Sequence, residues 1–369
     1  MDKIRVAVVG LGFGAEFVPI YQAWEDTECV AVCRRDEAQL NRFADQFGIA
    51  KRYTDYLDML KDPEIDAVHI NSDLKSHGWM TIEALKAGKH VASTVTMAMT
   101  AAECEEIVRL EQSTGKVYMM METSIYTREY LYFKRLYEAG EIGRLQFLRG
   151  SHQQNMSLPG WPSYWYGMPP MWYPTHAVAP LSDILGACIT QVRCLGSGRI
   201  REEYIKQYGS PYAAESMQLK FKNTDVCGEV TRTLFDTIRQ YRESFDFYGT
   251  KKSFEWEQIA GEHPVIFSGL EDAERVAAPD TDSMLPTAIG RFALKNQIVD
   301  PTHTSFIQGD GHGGSHPHMV YEWIRAIQEK RPAHVHARVA ANWTMAGIIG
   351  HESAMHGGEI LTIPEWAQF

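Results

Sequence analysis

Two rhythms of hydrophobic and polar positions alternate along the first third of the chain. Short apolar runs at Val6–Val9, Cys29–Cys33, Ala67–Ile70, His90–Thr94 and Val117–Met121 predict strands buried on both faces. Stretches of helical period lie between them, at Ala15–Trp24, Asp36–Phe47, Tyr56–Lys61, Gly78–Ala87 and Ala101–Gln112. Asp36 stands where an N-cap is wanted, and Gly48 and Gly88 stand where helices end. Strands separated by such helices predict right-handed crossovers and a doubly wound parallel sheet over residues 1–125.

From Thr127 the rhythm changes. One helix, Thr127–Ala139, precedes strand-like runs with little helix between them: Leu145–Gly150, Ile189–Leu195, Ser216–Phe221, Val226–Leu234 and Phe245–Tyr248. These predict an α+β domain over residues 126–369 with an open, mostly antiparallel sheet. Tracts near 257–310, rich in Pro, Asp and Gly, read as surface excursions, and His318–Lys330 and Arg338–Met355 as late helices.

Composition narrows the classes. The 369 residues are 44% hydrophobic and 22% charged, which suits two domains with a substantial core. A net charge of −11 repels phosphate backbones and argues against nucleic acid as a partner. No apolar run approaches the ~20 residues that span a bilayer, and the first strand begins too early for a signal peptide. The six cysteines show no Cys-x-x-Cys pair, as expected of reduced thiols in a cytoplasmic protein.

The turn after the first strand carries the first chemistry. In Gly10-Leu11-Gly12-Phe13-Gly14-Ala15, Gly10 permits a tight bend and Gly12 lets the backbone approach a pyrophosphate. Ala15 is the small residue where helix meets sheet. The expected ligand is a dinucleotide in a Rossmann domain; a turn with no ligand is the alternative. Ser72, Thr94 and Glu122 each end a strand, at the edge where such sheets bind ligands. Near the end of the second strand, where an acidic residue usually takes the adenosine ribose, stand Arg34 and Arg35. Arg34 tilts the choice between NAD and NADP towards NADP, through its fit to a 2′-phosphate.

The stretches Tyr53-Thr54-Asp55-Tyr56, Asp62–Val68, His77, Ala84–Val91 and Gly140–Leu145 resemble the glucose–fructose oxidoreductase/inositol dehydrogenase/MocA (Gfo/Idh/MocA) family over about the first 150 residues. The resemblance implies a pyridine nucleotide held also by His77 and Val95, and a polyol or sugar substrate on the C-terminal sheet. It further implies a homo-oligomer, dimer or tetramer, built through that sheet. The family's usual Glu-Lys-Pro is replaced by Thr94-Val95-Thr96, so its proton-accepting lysine is absent. Its Asp-x-Gly-x-His-x-x-Asp motif keeps only the histidine, His176. The block Tyr173-Pro174-Thr175-His176, with Met120-Met121-Glu122, is similar to the branch holding the NAD-dependent, redox-neutral glycosidases.

Without that lysine, His176 is the candidate base, with Tyr173 sharing its proton; a hydrogen-bonded core histidine is the alternative. Glu122 would orient sugar hydroxyls, or else cap the following helix. The proline-broken stretch 156–173 carries Trp161 and Trp165, aromatic faces on which a sugar ring stacks or which glue a loop to the core. Tyr126, His152 and Thr175 complete the expected substrate wall. His312 and His316, in the glycine-rich stretch Gly309–His318 with Asp310, read as a substrate loop or a helix entry rather than a metal site. The expected activity is NAD(P)-dependent oxidation or reduction of a secondary sugar hydroxyl, at C3. A redox-neutral glycosidase and a non-catalytic nucleotide-binding subunit are the alternatives.

Overall fold

The computed structural model describes residues 3–239, 241–295 and 311–369. Its contacts divide the chain into two compact units, Met1–Arg128 with Asp280–Ala341, and Glu129–Pro279 with Asn342–Phe369. The stretch 280–341, carried in the second domain by the sequence division, thus counts with the first unit.

The first unit holds six parallel strands, β1 (Ile4–Val9), β2 (Thr27–Cys33), β3 (Lys51–Tyr53), β4 (Ala67–Ile70), β5 (His90–Thr94) and β6 (Tyr118–Met121), in the order β3-β2-β1-β4-β5-β6. All residues of β4 and β6 are buried, as continuous apolar runs require of strands covered on both faces. Helices α1 (Val18–Ala23), α2 (Glu37–Phe47), α3 (Tyr56–Leu60), α4 (Leu74–Lys86) and α5 (Ala101–Thr114) make the crossovers. The Asp36 carboxylate accepts the Gln39 N–H, and Gly48 ends α2 in the left-handed conformation at φ +67°. Two details differ from the pattern. A 3₁₀ turn, Phe13–Glu16, precedes α1, so no single helix covers 15–24. Helix α4 starts at Leu74, and Gly78 lies inside it, where a Cβ would meet the Glu103 carboxylate at 2.6 Å. That glycine is a packing point, not a boundary.

After α6 (Arg128–Glu138), the second unit builds a nine-stranded sheet. Its strands are β7 (Leu145–Gln154), β8 (Ile189–Ser197), β9 (Ala214–Phe221), β10 (Cys227–Thr233), β11 (Tyr241–Gly249), β12 (Ser253–Glu255), β13 (Val265–Phe267), β14 (Ala273–Arg275) and β15 (Leu361–Thr362). They run β14-β13-β12-β11-β7-β10-β9-β8-β15. Among the described residues only the pair β7–β10 is parallel, so the sheet is mostly antiparallel as expected. Helix α7 (Thr175–Leu185), which the pattern does not predict because Pro174 and Pro180 interrupt it, lies on one face. It sits close: a Cβ on Gly150 of β7 would come within 1.9 Å of the Ala177 carbonyl oxygen. Among the described residues no helix is long and apolar enough to cross a membrane.

Candidate active site

In the first unit the parallel strands all end at one edge, and the order reverses between β1 and β4, where such sheets bind ligands. Gly10 turns the chain there at φ +81° and donates its N–H to the Cys33 carbonyl at 3.0 Å. A Cβ on Gly10 would strike the Asn71 carbonyl oxygen at 2.4 Å, whereas one on Gly12 would meet nothing within 4 Å. Gly14 packs against the Asn71 side chain, and Ala15 is buried. The bend is therefore closed at Gly10 and open at Gly12. Around it, the Ser72 hydroxyl and the Arg34 Nε are buried without a hydrogen-bond partner among the described residues. An open backbone approach beside unspent polar atoms fits a dinucleotide.

His77 braces the same edge. Its Nδ1 lies 2.8 Å from the Thr96 carbonyl, and its Nε2 lies 3.1 Å from that of Ser72 and 3.2 Å from Thr94 Oγ1. It ties the segments after β4 and β5 together, and burial lowers its pKa. Val95 is buried and Arg35 is exposed, its guanidinium 3.7 Å from Asp73. Glu122 follows β6, fully buried, and its carboxylate accepts the Ser124 N–H at 3.0 Å, capping the turn Thr123–Ile125. The Tyr126 ring stacks near His318. His312 and His316 both set ring edges against Phe13 at 5.4 Å, beside the glycine turn. His316 also lies 3.4 Å from the Glu16 carboxylate. Gly309 and Asp310 lie outside the described residues.

The second unit gathers a different set. Strand register sets Glu215, Arg232, His152 and Glu243 side by side across β9, β10, β7 and β11, in one row on the face that bears α7. Tyr241, two residues before Glu243, shares that face and donates its hydroxyl to the Glu243 carboxylate. His176 comes down from the first turn of α7, its Nε2 3.2 Å from the Tyr173 hydroxyl and 3.7 Å from Glu243. His152 Nε2 is 3.8 Å from the same carboxylate, and the two imidazole centroids are 4.9 Å apart.

Arg232, fully buried, supplies the row's cation. It donates to the carbonyls of Tyr173 and His152 at 3.0 and 3.1 Å and to the Gln154 side chain at 2.7 Å. Burial lowers its pKa to about 10, which leaves it charged at neutral pH. Burial, with the Glu243 charge, raises Tyr241 well above the usual phenol range and keeps it a donor. Trp165 sets its ring edge-on to Tyr173 at 5.2 Å, and Trp161 packs against Trp165. Thr175 is buried at the start of α7.

Sequence reasoning named His152, Tyr173, His176 and Trp165, and the structure brings these together. It did not find Arg232, Tyr241 or Glu243. Their only signal was polarity at alternate positions of a strand, which reads equally well as a solvated face.

Comparison with known proteins bears on both units. The family described as "Oxidoreductase family, NAD-binding Rossmann fold" (Gfo/Idh/MocA) matches residues 4–122. Among curated proteins, a glycosyl hydrolase family 109 protein of Shewanella baltica is 29% identical, covering 100% of this chain and 86% of that protein. An alpha-N-acetylgalactosaminidase of Shewanella oneidensis is 26% identical with the same coverage. Among solved structures, levoglucosan dehydrogenase with NADH and levoglucosan superposes at TM-score 0.78 and 19% identity, over 99% of this chain and 100% of that one. Myo-inositol 2-dehydrogenase of Lactobacillus plantarum gives 0.76 and 18%, over 98% and 100%. At these identities the structures establish the shared fold.

Proposed function

We propose, from the premise that residues 4–122 are an NAD-binding Rossmann domain of the Gfo/Idh/MocA oxidoreductases, that this chain oxidises or reduces a secondary hydroxyl of a sugar or glycoside. The observation that carries the reading is the imidazole nitrogen of His176, held 3.2 Å from the Tyr173 hydroxyl in a buried polar row. Oxidising an alcohol needs a proton acceptor, and an imidazole nitrogen paired with a phenol can serve as one.

The dinucleotide is held by Gly10, Gly12, Phe13, Gly14 and Ala15, with Ser72 and Thr94 at the neighbouring strand ends. When bound it supplies a hydride acceptor. Arg34, with Arg35 beside it, would meet the adenosine end and tilts the choice towards a 2′-phosphate, with NAD the alternative. In the second unit, Tyr173 accepts the substrate hydroxyl proton while passing its own to His176 Nε2, as the C–H pair leaves as hydride and C–O becomes C=O. Trp161 and Trp165 offer faces to the sugar ring, with Thr175 and His152 beside them. The outer sheet face, polar and half-exposed along β7, β10 and β11, is the surface for self-association.

The test is to screen glycosides for reduction of bound nucleotide at 340 nm, with His176→Asn as the loss-of-function control. Turnover in that variant equal to the parent's refutes His176 as the base. One observation favours a second reading, redox-neutral glycoside cleavage: whole-length relatives carry glycosyl hydrolase and alpha-N-acetylgalactosaminidase names. Aglycone release without net NADH identifies that cycle; net NADH in step with sugar oxidation excludes it.

A further inference from the structure

The row across the second unit's sheet gives one carboxylate to two histidines. Glu243 and His152 are directly opposed across β11 and β7, and His176 reaches the same oxygen from α7. Both imidazoles are buried, at 0% and 5% side-chain exposure, and Glu243 is at 10%. A cation forming on either ring is cut off from solvent, so its stability depends on the nearest fixed anion. Against His176 stand Tyr173 before α7, His152 on β7 and Glu243 on β11, with Arg232 of β10 over the Tyr173 ring and Tyr241 of β11 on the Glu243 carboxylate. Glu243 is the one anion in that set.

Two imidazole nitrogens and a carboxylate within 4.8 Å of one another could also surround a divalent cation. The neighbours decide against it. Tyr241 already donates to the carboxylate oxygen that both histidines face, and the buried Arg232 guanidinium already supplies a positive charge. The row carries two carboxylates, Glu215 and Glu243, against one guanidinium, so a dication would leave it a positive charge in excess, at a large desolvation cost. A single shared proton leaves it balanced.

We propose that Glu243 is a positioning residue for the proton chemistry of this site: it stabilises the imidazolium that forms when His176 takes the hydroxyl proton from Tyr173, and His152 shares that proton. The inference rests on the oxidoreductase reading for its purpose but not for its test. On oxidation the row gains the hydroxyl proton at His176 Nε2; it returns that proton to the sugar oxygen when the carbonyl is reduced, or releases it to water once the oxidised product has left.

The test reads the imidazoles directly, so it needs no substrate. The full-length protein is labelled with ¹³C at histidine Cε1, its resonances are titrated by NMR, and His176 is assigned by its absence from His176→Asn. In Glu243→Gln the His176 midpoint should fall by at least one pH unit, about tenfold in proton affinity. In Tyr241→Phe, where the carboxylate loses its phenol donor and leans more on the imidazolium, the midpoint should rise. A merely structural role for Glu243 does not predict shifts of opposite sign. Thermal melts identify any variant that fails to fold, and Tyr241→Phe then carries the test alone. Unmoved midpoints, shifts of the same sign, or a stoichiometric divalent metal in the purified protein that Glu243→Gln loses would each overturn the proposal. If the shifts appear and no glycoside reduces the nucleotide, the oxidoreductase reading fails while the proton-sharing row stands.

Discussion

A pair of alanine substitutions in the glycine turn separates what holds the first unit together from what holds the nucleotide. At Gly10 the backbone stands at φ +81°, and an added Cβ comes within 2.4 Å of the Asn71 carbonyl oxygen and 2.7 Å of its carbon. Neither atom can step aside, because the Asn71 N–H donates to Val9 at 2.8 Å and β4 is in register with β1 just before it. The left-handed backbone costs alanine about 1–2 kcal/mol. The overlap, relieved only by shifting strand against strand, costs about 2 kcal/mol more. Gly10→Ala should therefore lower stability by about 3–4 kcal/mol, or about 6–15 °C in Tm for a unit of this size.

Gly12 has φ −72° and ψ −91°, just beyond the α region that L-residues favour, and nothing lies within 4 Å of its ideal Cβ. Gly12→Ala should leave Tm nearly unchanged, since the about 0.4–1 kcal/mol gained through the unfolded chain offsets the small backbone cost of ψ −91°. Its methyl fills the space the diphosphate backbone needs, so the affinity for NADH should fall about 30- to 100-fold, roughly 2–3 kcal/mol. Scanning fluorimetry reads the first effect, and titration of NADH fluorescence reads the second. Gly12→Ala binding NADH within threefold of the parent, or Gly10→Ala melting within 2 °C of it, would refute this account of the turn; both thresholds are about half a kcal/mol.

Three further outcomes follow from the described contacts. Burial lowers His90 to about 4, and its Nδ1 accepts the Val117 N–H at 3.0 Å, so the folded state favours the neutral ring. That contribution is complete above the unfolded value near ~6.5 and is lost as pH falls through it towards 4, by up to about 3 kcal/mol. His90→Asn, which keeps an acceptor but cannot titrate, should flatten that part of the stability-versus-pH curve relative to the parent in chemical denaturation. Gly150→Ala places a Cβ 1.9 Å from the Ala177 carbonyl oxygen, one residue from His176, and α7 must move. Turnover should fall about 100-fold or more, with a loss of about 3 kcal/mol in stability; a variant melting and turning over like the parent would show that the helix yields. Arg34→Gln should weaken NADP binding about tenfold and NAD less than twofold, measured by competitive titration; equal effects on both would remove Arg34 from the 2′-phosphate site.

The first unit was legible because its physics is local. Continuous apolar runs mean strands covered on both sides, and a glycine bend between strand and helix has few other uses. What escaped there was short or exposed, such as the edge strand Lys51–Tyr53. The second unit was legible only where its inward positions are apolar. Phe245 and Phe247 revealed the later half of β11, while Tyr241 and Glu243 hid its beginning, because an inward polar residue is indistinguishable in sequence from an outward one. His176 was found through its motif, and the helix that carries it was not, because Pro174 and Pro180 mask the helical period.

The same reasoning explains why the hidden residues are the informative ones. Burying Glu215, Arg232, His152 and Glu243 in one row sacrifices the apolar packing those four inward positions would otherwise provide, and each ion must be matched at once. Glu215 is matched by His351 at 2.6 Å and by the Met171 N–H at 2.7 Å, and Arg232 by three carbonyls and Gln154. Glu243 is matched by a phenol and faced by two imidazoles. At Glu215 the row ends on a carboxylate held by two short hydrogen bonds, from His351 and the Met171 N–H. At Glu243 it ends on a carboxylate faced by two imidazoles within 4 Å, beside the Tyr173–His176 pair, and an anion next to a base that takes up a proton is the arrangement that proton transfer requires.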